Sequence, residues 1–289
     1  MNSVIGVITA RMASTRLPGK VIKRLAGKTI FSHHVERMKE VKGLQKICLA
    51  TSVDPKNKIL IKEAEQLGCA WYAGPEEDIV ERHIKLCKQE AADAVIRVTC
   101  DSPLFNMDLS SKFVEAFKKE YYDFIFCGNM TIVQGTLTEL ISYEALKEVH
   151  KCYRGPAITL PIRENLSAFK TLTLDIDADL VRPEYRLTVD EMKDFILLEH
   201  IYSNLYHGHA ISLKEVYTWL DDNPEIARIN QDVVIKGVNQ YVANLMEKPL
   251  YSIVKSGNGY IILDEHKQRV EPEFFLNCVS SLINNGDIK

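Results

Sequence analysis

The chain has 289 residues, 46% of them hydrophobic and 26% charged, which is enough apolar material for a sizeable core and excludes a disordered or fibrous polypeptide. Its 36 Lys and Arg against 39 Asp and Glu give a formal net charge of -3, so the broad basic field of a general nucleic-acid binder is missing. No apolar run approaches the roughly 20 residues of a membrane helix, and Val4 to Thr9 is too short for a signal-peptide core, so a cytoplasmic protein with no membrane partner is expected.

Short apolar runs alternate with amphipathic stretches through the first half of the chain. Val4 to Thr9 reads as a buried strand, Ile30 to Val41 as a helix, Ile47 to Thr51 as a strand, and Lys58 to Leu67 as a helix closed by Gly68. Cys69 to Tyr72 reads as a strand, Asp78 to Ala91 as a helix, Ala94 to Thr99 as a strand and Leu109 to Lys119 as a helix. This alternation implies right-handed crossovers and a mostly parallel sheet with helices on both faces, an α/β fold. After Asp123 the rhythm loosens. A strand from Phe124 to Cys127 leads through a Gly-containing loop to a helix from Tyr143 to Lys151 and an irregular segment from Arg154 to Glu164. Strands at Phe169 to Leu174 and Arg186 to Val189 follow, then a helix from Met192 to Leu205 and short helices from Ser212 to Ile229, interrupted at Pro224. From Lys248 the pattern changes again. Tyr251 to Lys255 and Tyr260 to Leu263 flank a Gly-Asn-Gly turn, a hairpin signal, and a helix is expected from Pro272 to Ile283. The expected division is one domain over 1–247 and a small hairpin-plus-helix appendage over 248–289. The seven cysteines are scattered without a CxxC pair and read as buried thiols in a reducing compartment.

In an open α/β sheet, ligands collect beyond the carboxyl ends of the strands. The loop after the first strand runs from Ala10 to Lys20 and carries Arg11, Ser14, Thr15, Arg16 and Lys20. Fork-shaped guanidinium donors, a point-charge ammonium and hydroxyls between them suit a triphosphate, against the plainer reading of a solvated loop. The loop has no GxGxxG, and Gly19 and Gly27-Lys28 are too far apart for GxxxxGK, so dinucleotide and P-loop motifs are excluded. The fourth strand runs into Asp101, and the segment Arg186 to Val189 into Asp190. Two carboxylates in that setting suit a hard cation such as magnesium shared with substrate phosphates. Their plainer roles are turn and helix capping, which both can fill at the same time.

These residues resemble a known family. Arg11-Met12-x-Ser14-Thr15-Arg16-Leu17-Pro18-Gly19-Lys20, Ala50-Thr51, Arg97-Val98-Thr99-x-Asp101-x-Pro103-Leu104 and Leu187-Thr188-Val189-Asp190 look like the cytidylyltransferases that activate sugar acids. Those include 3-deoxy-manno-octulosonate and acylneuraminate cytidylyltransferases, with the spore-coat-polysaccharide branch the most similar, over about residues 1 to 230. The resemblance implies a nucleotidyltransferase fold of the GT-A, Rossmann-like kind that moves CMP from CTP to a sugar or sugar-acid acceptor in surface polysaccharide biosynthesis. It implies CTP at Ala10, Arg11, Ser14, Arg16, Lys20, Thr51 and Arg97, and Mg2+ on Asp101 and Asp190. Arg11, Lys20, Asp101 and Asp190 would be catalytic, and Asn129, Gly135, Glu139 and Arg154 would meet the acceptor. Homodimers are common in the family. Cys100 replaces a usual Gly, and Arg154-Gly155-Pro156-Ala157-Ile158-Thr159 departs from the family's more polar pattern. Two rival expectations stand beside this one. Asp175-Ile176-Asp177 matches the DxD of a glycosyltransferase, and the extra carboxyl-terminal piece suits a catalytically silent nucleotide-binding scaffold.

Overall fold

The computed structural model describes residues 2–127, 133–155, 157–182 and 184–233, together with the backbone of strands at 251–256, 259–264 and 269–270. β1 (Val4–Thr9) lies inside a seven-stranded sheet, paired in parallel with β4 (Lys46–Ser52) on one side and β6 (Ala94–Thr99) on the other. β5 (Ala70–Gly74) continues the parallel run beyond β4. The chain thus leaves β1 toward β4 and β5, then crosses back to place β6 on the far side of β1. The carboxyl ends of β1 and β6 therefore flank the switch point where such sheets bind ligands.

β1 reads Val4, Ile5, Gly6, Val7, Ile8, and its apolar side chains alternate between two buried layers. Val4 and Ile8 join the larger one, Ile5 and Val7 the smaller. A strand covered on both faces needs apolar residues at every position, which explains why β1 shows no polar alternation. Helices start on side-chain caps. Thr29 Oγ1 accepts from Ser32 N to open α1 (Ile30–Lys39), and Asp78 opens α3 (Ile79–Gln89) in the same way, after α2 (Lys58–Gln66). Asn106 accepts from Leu109 N at the start of α4 (Met107–Lys119). Such caps are worth roughly 1 kcal/mol each. Arg37 of α1 is fully buried and donates through Nε to the Phe105 carbonyl at 2.9 Å, tying the loop after β6 to the core.

Several elements differ from the sequence reading. β2 (Arg24–Leu25) and β3 (Lys28–Thr29) form a short hairpin after the first loop. The larger difference is β8 (Glu139–Ser142), which inserts antiparallel between β6 and β7 (Phe124–Cys127), where only a loop was expected. Four residues are too short to show a period, so tertiary pairing alone makes them a strand. α5 (Tyr143–Cys152) and α6 (Leu160–Glu164) follow, the latter inside the segment read as irregular, and β9 (Thr171–Leu174) closes the sheet beside β7. Residues 186–189, expected as a strand, form none: they lie outside the main ladder, with a single bridge from Gln134 to Arg186. α7 (Met192–Leu205), α8 (Leu213–Asp222) and α9 (Pro224–Ala227) complete this part. Phe113 and Phe117 of α4 are core, whereas Tyr121 lies past its end and is 38% exposed. Tyr251–Ser256 and Gly259–Asp264 pair antiparallel as β10 and β11, with β12 (Arg269–Val270) beside β11. The expected domain boundary near Glu247, the expected helix from Pro272 and Cys278 lie outside the described residues. No helix among the described residues is long and apolar enough to cross a membrane.

Candidate active site

The loop after β1 is held from both ends. Ala10 N donates to Ala50 O, and Gly19 N to Met12 O, at a left-handed φ of 65° that lets the chain turn into a short helical turn at Lys20–Ile22. Met12 N donates 2.8 Å to Asn57 Oδ1, and Asn57 in turn donates to Ser52 at the end of β4, so the loop is pinned to its neighbouring strand. Leu17 and Val21 are buried anchors, which leaves Arg11, Arg16 and Lys20 to project from a fixed backbone.

On the other side of the switch point, Cys100 N donates to Thr9 O and Ser102 N to Thr99 O, forming the turn that carries Asp101. The 186–190 segment is stitched onto that turn. Val189 N donates 2.7 Å to the Asp101 carbonyl, and Thr188 Oγ1 donates to the same oxygen at 3.1 Å. This brings together carboxylates that are far apart in the chain, and Lys20 lies between them. Its Nζ is 3.4 Å from Asp101 Oδ2, 3.2 Å from Asp190 Oδ1 and 2.5 Å from the Val189 carbonyl oxygen. Arg16 Nη2 is 3.1 Å from the same Asp190 Oδ1, and its Nη1 is 3.4 Å from Glu191. Partial withdrawal from water works against the Asp101 charge, but the Lys20 ammonium and the Thr99 hydroxyl outweigh it and hold the carboxyl below its ordinary value.

Asp190 does not cap the helix after it. Glu191 is the N-cap, in a reciprocal capping box with Asp194, which accepts from both Asp190 N and Glu191 N and leaves the Asp190 carboxylate to its cations. Arg186 supports both. It donates through Nη2 to Asp190 Oδ2 at 2.8 Å, through Nε to Asp194 Oδ1 at 2.9 Å and through Nη1 to Gln134. Asn230 adds a bond to Asp194 at 2.8 Å. Burial would raise the Asp194 pKa, and the Arg186 and amide contacts more than reverse it. Sequence reading missed Arg186, Asp194, Asn230 and Asn57. The spacing Arg186, Asp190, Asp194 is one residue per helical turn, but it straddles an extended segment and a helix start, so no helical pattern marked it.

The remaining expected residues fall apart into groups. Arg11 pairs with Glu76 on the loop after β5. Ser14 Oγ accepts from Leu17 N at 3.4 Å, a bond within the loop. Ala10 and Thr51 are buried and are not among the groups gathered around Lys20. Gly135 sits at φ +97° with Leu187 and Thr188 backbone against it, so it seats the segment that carries Asp190. Glu139 is bridged by Arg97 Nη1 at 3.0 Å and by Arg163 at 2.7 Å, and the buried Arg97 Nε has no hydrogen-bond partner among the described residues. Arg154 Nε is 3.6 Å from Asp78. Asn129 lies outside the described residues. Asp175 and Asp177 of the DxD pattern are exposed beyond β9, at the edge of the sheet and three strands from β6. Nothing in that placement brings them to the switch point. The two histidines of α1 are buried, and His33 is bonded to the Leu25 carbonyl, so neither is a free ligand.

No group of three or more His, Cys, Asp or Glu side chains among the described residues could hold a metal. Two carboxylates and a carbonyl around one ammonium are nevertheless a set of hard oxygen donors already gathered around a positive charge. Magnesium commonly takes one or two carboxylates and fills its shell with phosphate oxygens and water, so this donor set fits it when phosphates are present.

A profile of the cytidylyltransferase family matches residues 5–207. An uncharacterised protein of Methanocaldococcus jannaschii is 31% identical over 234 residues, covering 80% of this chain and 95% of its own length. The spore coat polysaccharide biosynthesis protein SpsF of Bacillus subtilis is 26% identical over 239 residues, 78% of this chain and 98% of the relative. A solved cytidylyltransferase from Leptospira borgpetersenii superposes with a TM-score of 0.73 at 24% identity, over 82% of this chain and all of that one, and shows the shared fold.

Proposed function

The chain belongs to the cytidylyltransferase family, and from that premise we propose that it transfers CMP from CTP to a sugar or sugar-acid acceptor, releasing pyrophosphate, in the making of a surface polysaccharide. The observation that carries this reading is the meeting of Lys20 with Asp101 and Asp190 at the carboxyl end of the parallel strands. In the reaction an acceptor oxygen attacks the α-phosphorus and the bond to the β-phosphate oxygen breaks, so negative charge grows on the departing pyrophosphate. Positioning and electrostatic stabilisation supply most of the rate in such transfers. Arg11, Arg16 and Lys20 would hold the triphosphate and balance the charge of the leaving group, with Ser14 donating beside them. Asp101 and Asp190 would hold Mg2+, which when bound draws charge from the phosphates.

The acceptor side is supported by the pair of guanidiniums on Glu139. Arg97 and Arg163 carry two positive charges against the one Glu139 carboxylate, and Arg163 is the more exposed of the two. A carboxylate on the acceptor would complement that excess charge. Mg2+ dependence and a cytoplasmic site of action belong to this same reading.

Pyrophosphate release tests it. With Mg2+ and a panel of sugar acids, CTP should support release and the other triphosphates should not. If no triphosphate yields pyrophosphate with any acceptor, the enzyme reading fails, and a triphosphate that still raises the melting temperature leaves the silent nucleotide-binding scaffold in its place.

A further inference from the structure

The cations expected to receive a triphosphate are, in this structure, bound to the carboxylates expected to receive a metal. Lys20 Nζ bridges Asp101 Oδ2 and Asp190 Oδ1 at 3.4 and 3.2 Å, and Arg16 Nη2 shares that Asp190 oxygen at 3.1 Å. The second oxygen of Asp190 is taken by Arg186 at 2.8 Å. These three cations are not alike. Arg186 is 9% exposed and also fastened to Asp194 and Gln134, so it stays. Lys20 and Arg16 are 13% and 30% exposed and rise from the loop on flexible side chains, with Lys20 donating in addition to the Val189 carbonyl at 2.5 Å. The backbone beneath them is pinned at Leu17, Gly19 and Val21, so the heads can swing without the loop moving.

We propose that Lys20 and Arg16 are resident counter-ions of Asp101 and Asp190, and that a nucleoside triphosphate must draw them off before a divalent cation binds. The proposal rests on the triphosphate reading given above and adds how nucleotide and metal depend on one another. In the resting site Lys20, Arg16 and Arg186 offset all but one of the charges of Asp101, Asp190, Asp194 and Glu191, so a free divalent ion meets little net attraction and is repelled by an ammonium a few ångströms away. A triphosphate offers Lys20 and Arg16 better partners, since charge-assisted bonds to phosphate are among the stronger ones. The two carboxylates then match the two charges of one metal ion. Metal alone binds weakly, and nucleotide and metal strengthen each other by the same factor, as linkage requires.

Mn2+ serves as the probe, read by the paramagnetic resonance signal of the free ion. Nucleotide-free wild-type protein is titrated beside Lys20→Met and Arg16→Gln, with Asp101→Asn as the blank for the site. Lys20→Met should bind Mn2+ about tenfold more tightly than wild type, inside the usual range of such couplings. Arg16→Gln, more exposed and safer for folding, should move affinity in the same direction. Wild-type affinity equal to or tighter than both variants would overturn the proposal. Calorimetric titration of CTP without metal separates the two levels of argument. If CTP binds the wild type and binds Lys20→Met less well, an absent Mn2+ effect sinks only the counter-ion role. If CTP fails to bind with or without Mn2+, the functional reading and this proposal fall together.

Discussion

Replacing Gly135 by Ala should damage the site from a distance. A Cβ built on Gly135 would lie 2.4 Å from Thr188 N, 2.5 Å from Leu187 C and 2.7 Å from Leu187 O. Ordinary contact begins near 3.4 Å. The opposing chain must therefore retreat by about 1 Å, and it is backbone, which no side-chain rotation can relieve. That chain donates from Leu187 N to Gln134 O at 2.7 Å and, two residues on, from Val189 N to Asp101 O at 2.7 Å. The alanine would also hold a φ of +97°, in the region L residues avoid at a cost of roughly 1–2 kcal/mol. Overpacking adds about 1–3 kcal/mol, so urea unfolding should show a loss of about 2–5 kcal/mol. A shift of about 1 Å at Asp190 should lower pyrophosphate release about 100-fold, even after correction for the folded fraction. Gly208→Ala is the control. It shares the left-handed backbone, at φ +93°, but nothing lies within 4 Å of its added Cβ, so it should show the smaller loss with activity intact. Equal stability of the two variants, or full activity of Gly135→Ala, would refute the reasoning.

The other expectations concern the groups around the two aspartates, the acceptor side and the buried histidines. Arg186→Gln strips the fully buried Asp194 of its cation and should cost about 3–5 kcal/mol in unfolding experiments, with Arg186→Lys recovering part of it. Arg163→Gln should raise KM for the sugar acid and leave CTP affinity in calorimetry unchanged; the opposite split would move Arg163 to the nucleotide side. His34 and His83 are fully buried, and burial pushes their pKa values down from 6.5 to about 4 and about 3, against backbone bonds that pull the other way. Their protonated forms therefore prefer the unfolded chain. The stability their neutral rings allow is complete above pH 6.5 and falls as pH drops toward 4. His34 alone would cost about 3 kcal/mol across that interval, at about 1.4 kcal/mol for each pH unit. Urea midpoints measured between pH 7.5 and 4.5 should fall accordingly, and His34→Gln should flatten the curve; a curve of unchanged slope would contradict it.

Local chemistry was enough to reveal much of this protein. Apolar runs such as Val4 to Thr9, flanked by a loop rich in Arg, Lys and Ser, expose both the parallel strands and the cationic loop at their end, because each signal lies within a few consecutive residues. Asp101 and Asp190 could be picked out by the same means, as carboxylates ending apolar stretches. What each is bonded to was a different matter. Glu139 looked like part of an acceptor loop until β8 paired it with Arg97 of β6, and no period survives in four residues to announce such a strand. At Gly135 the chain presses Leu187 and Thr188 against the glycine from more than fifty positions away, which no neighbouring residue announces. The Arg186, Asp194 and Asn230 cluster, and Lys20 lodged between two distant aspartates, likewise belong to tertiary structure alone. Periodicity and residue type are properties of neighbours in sequence. The partner of a charge, and the atom a missing side chain would strike, depend on which remote segments the packed core forces together.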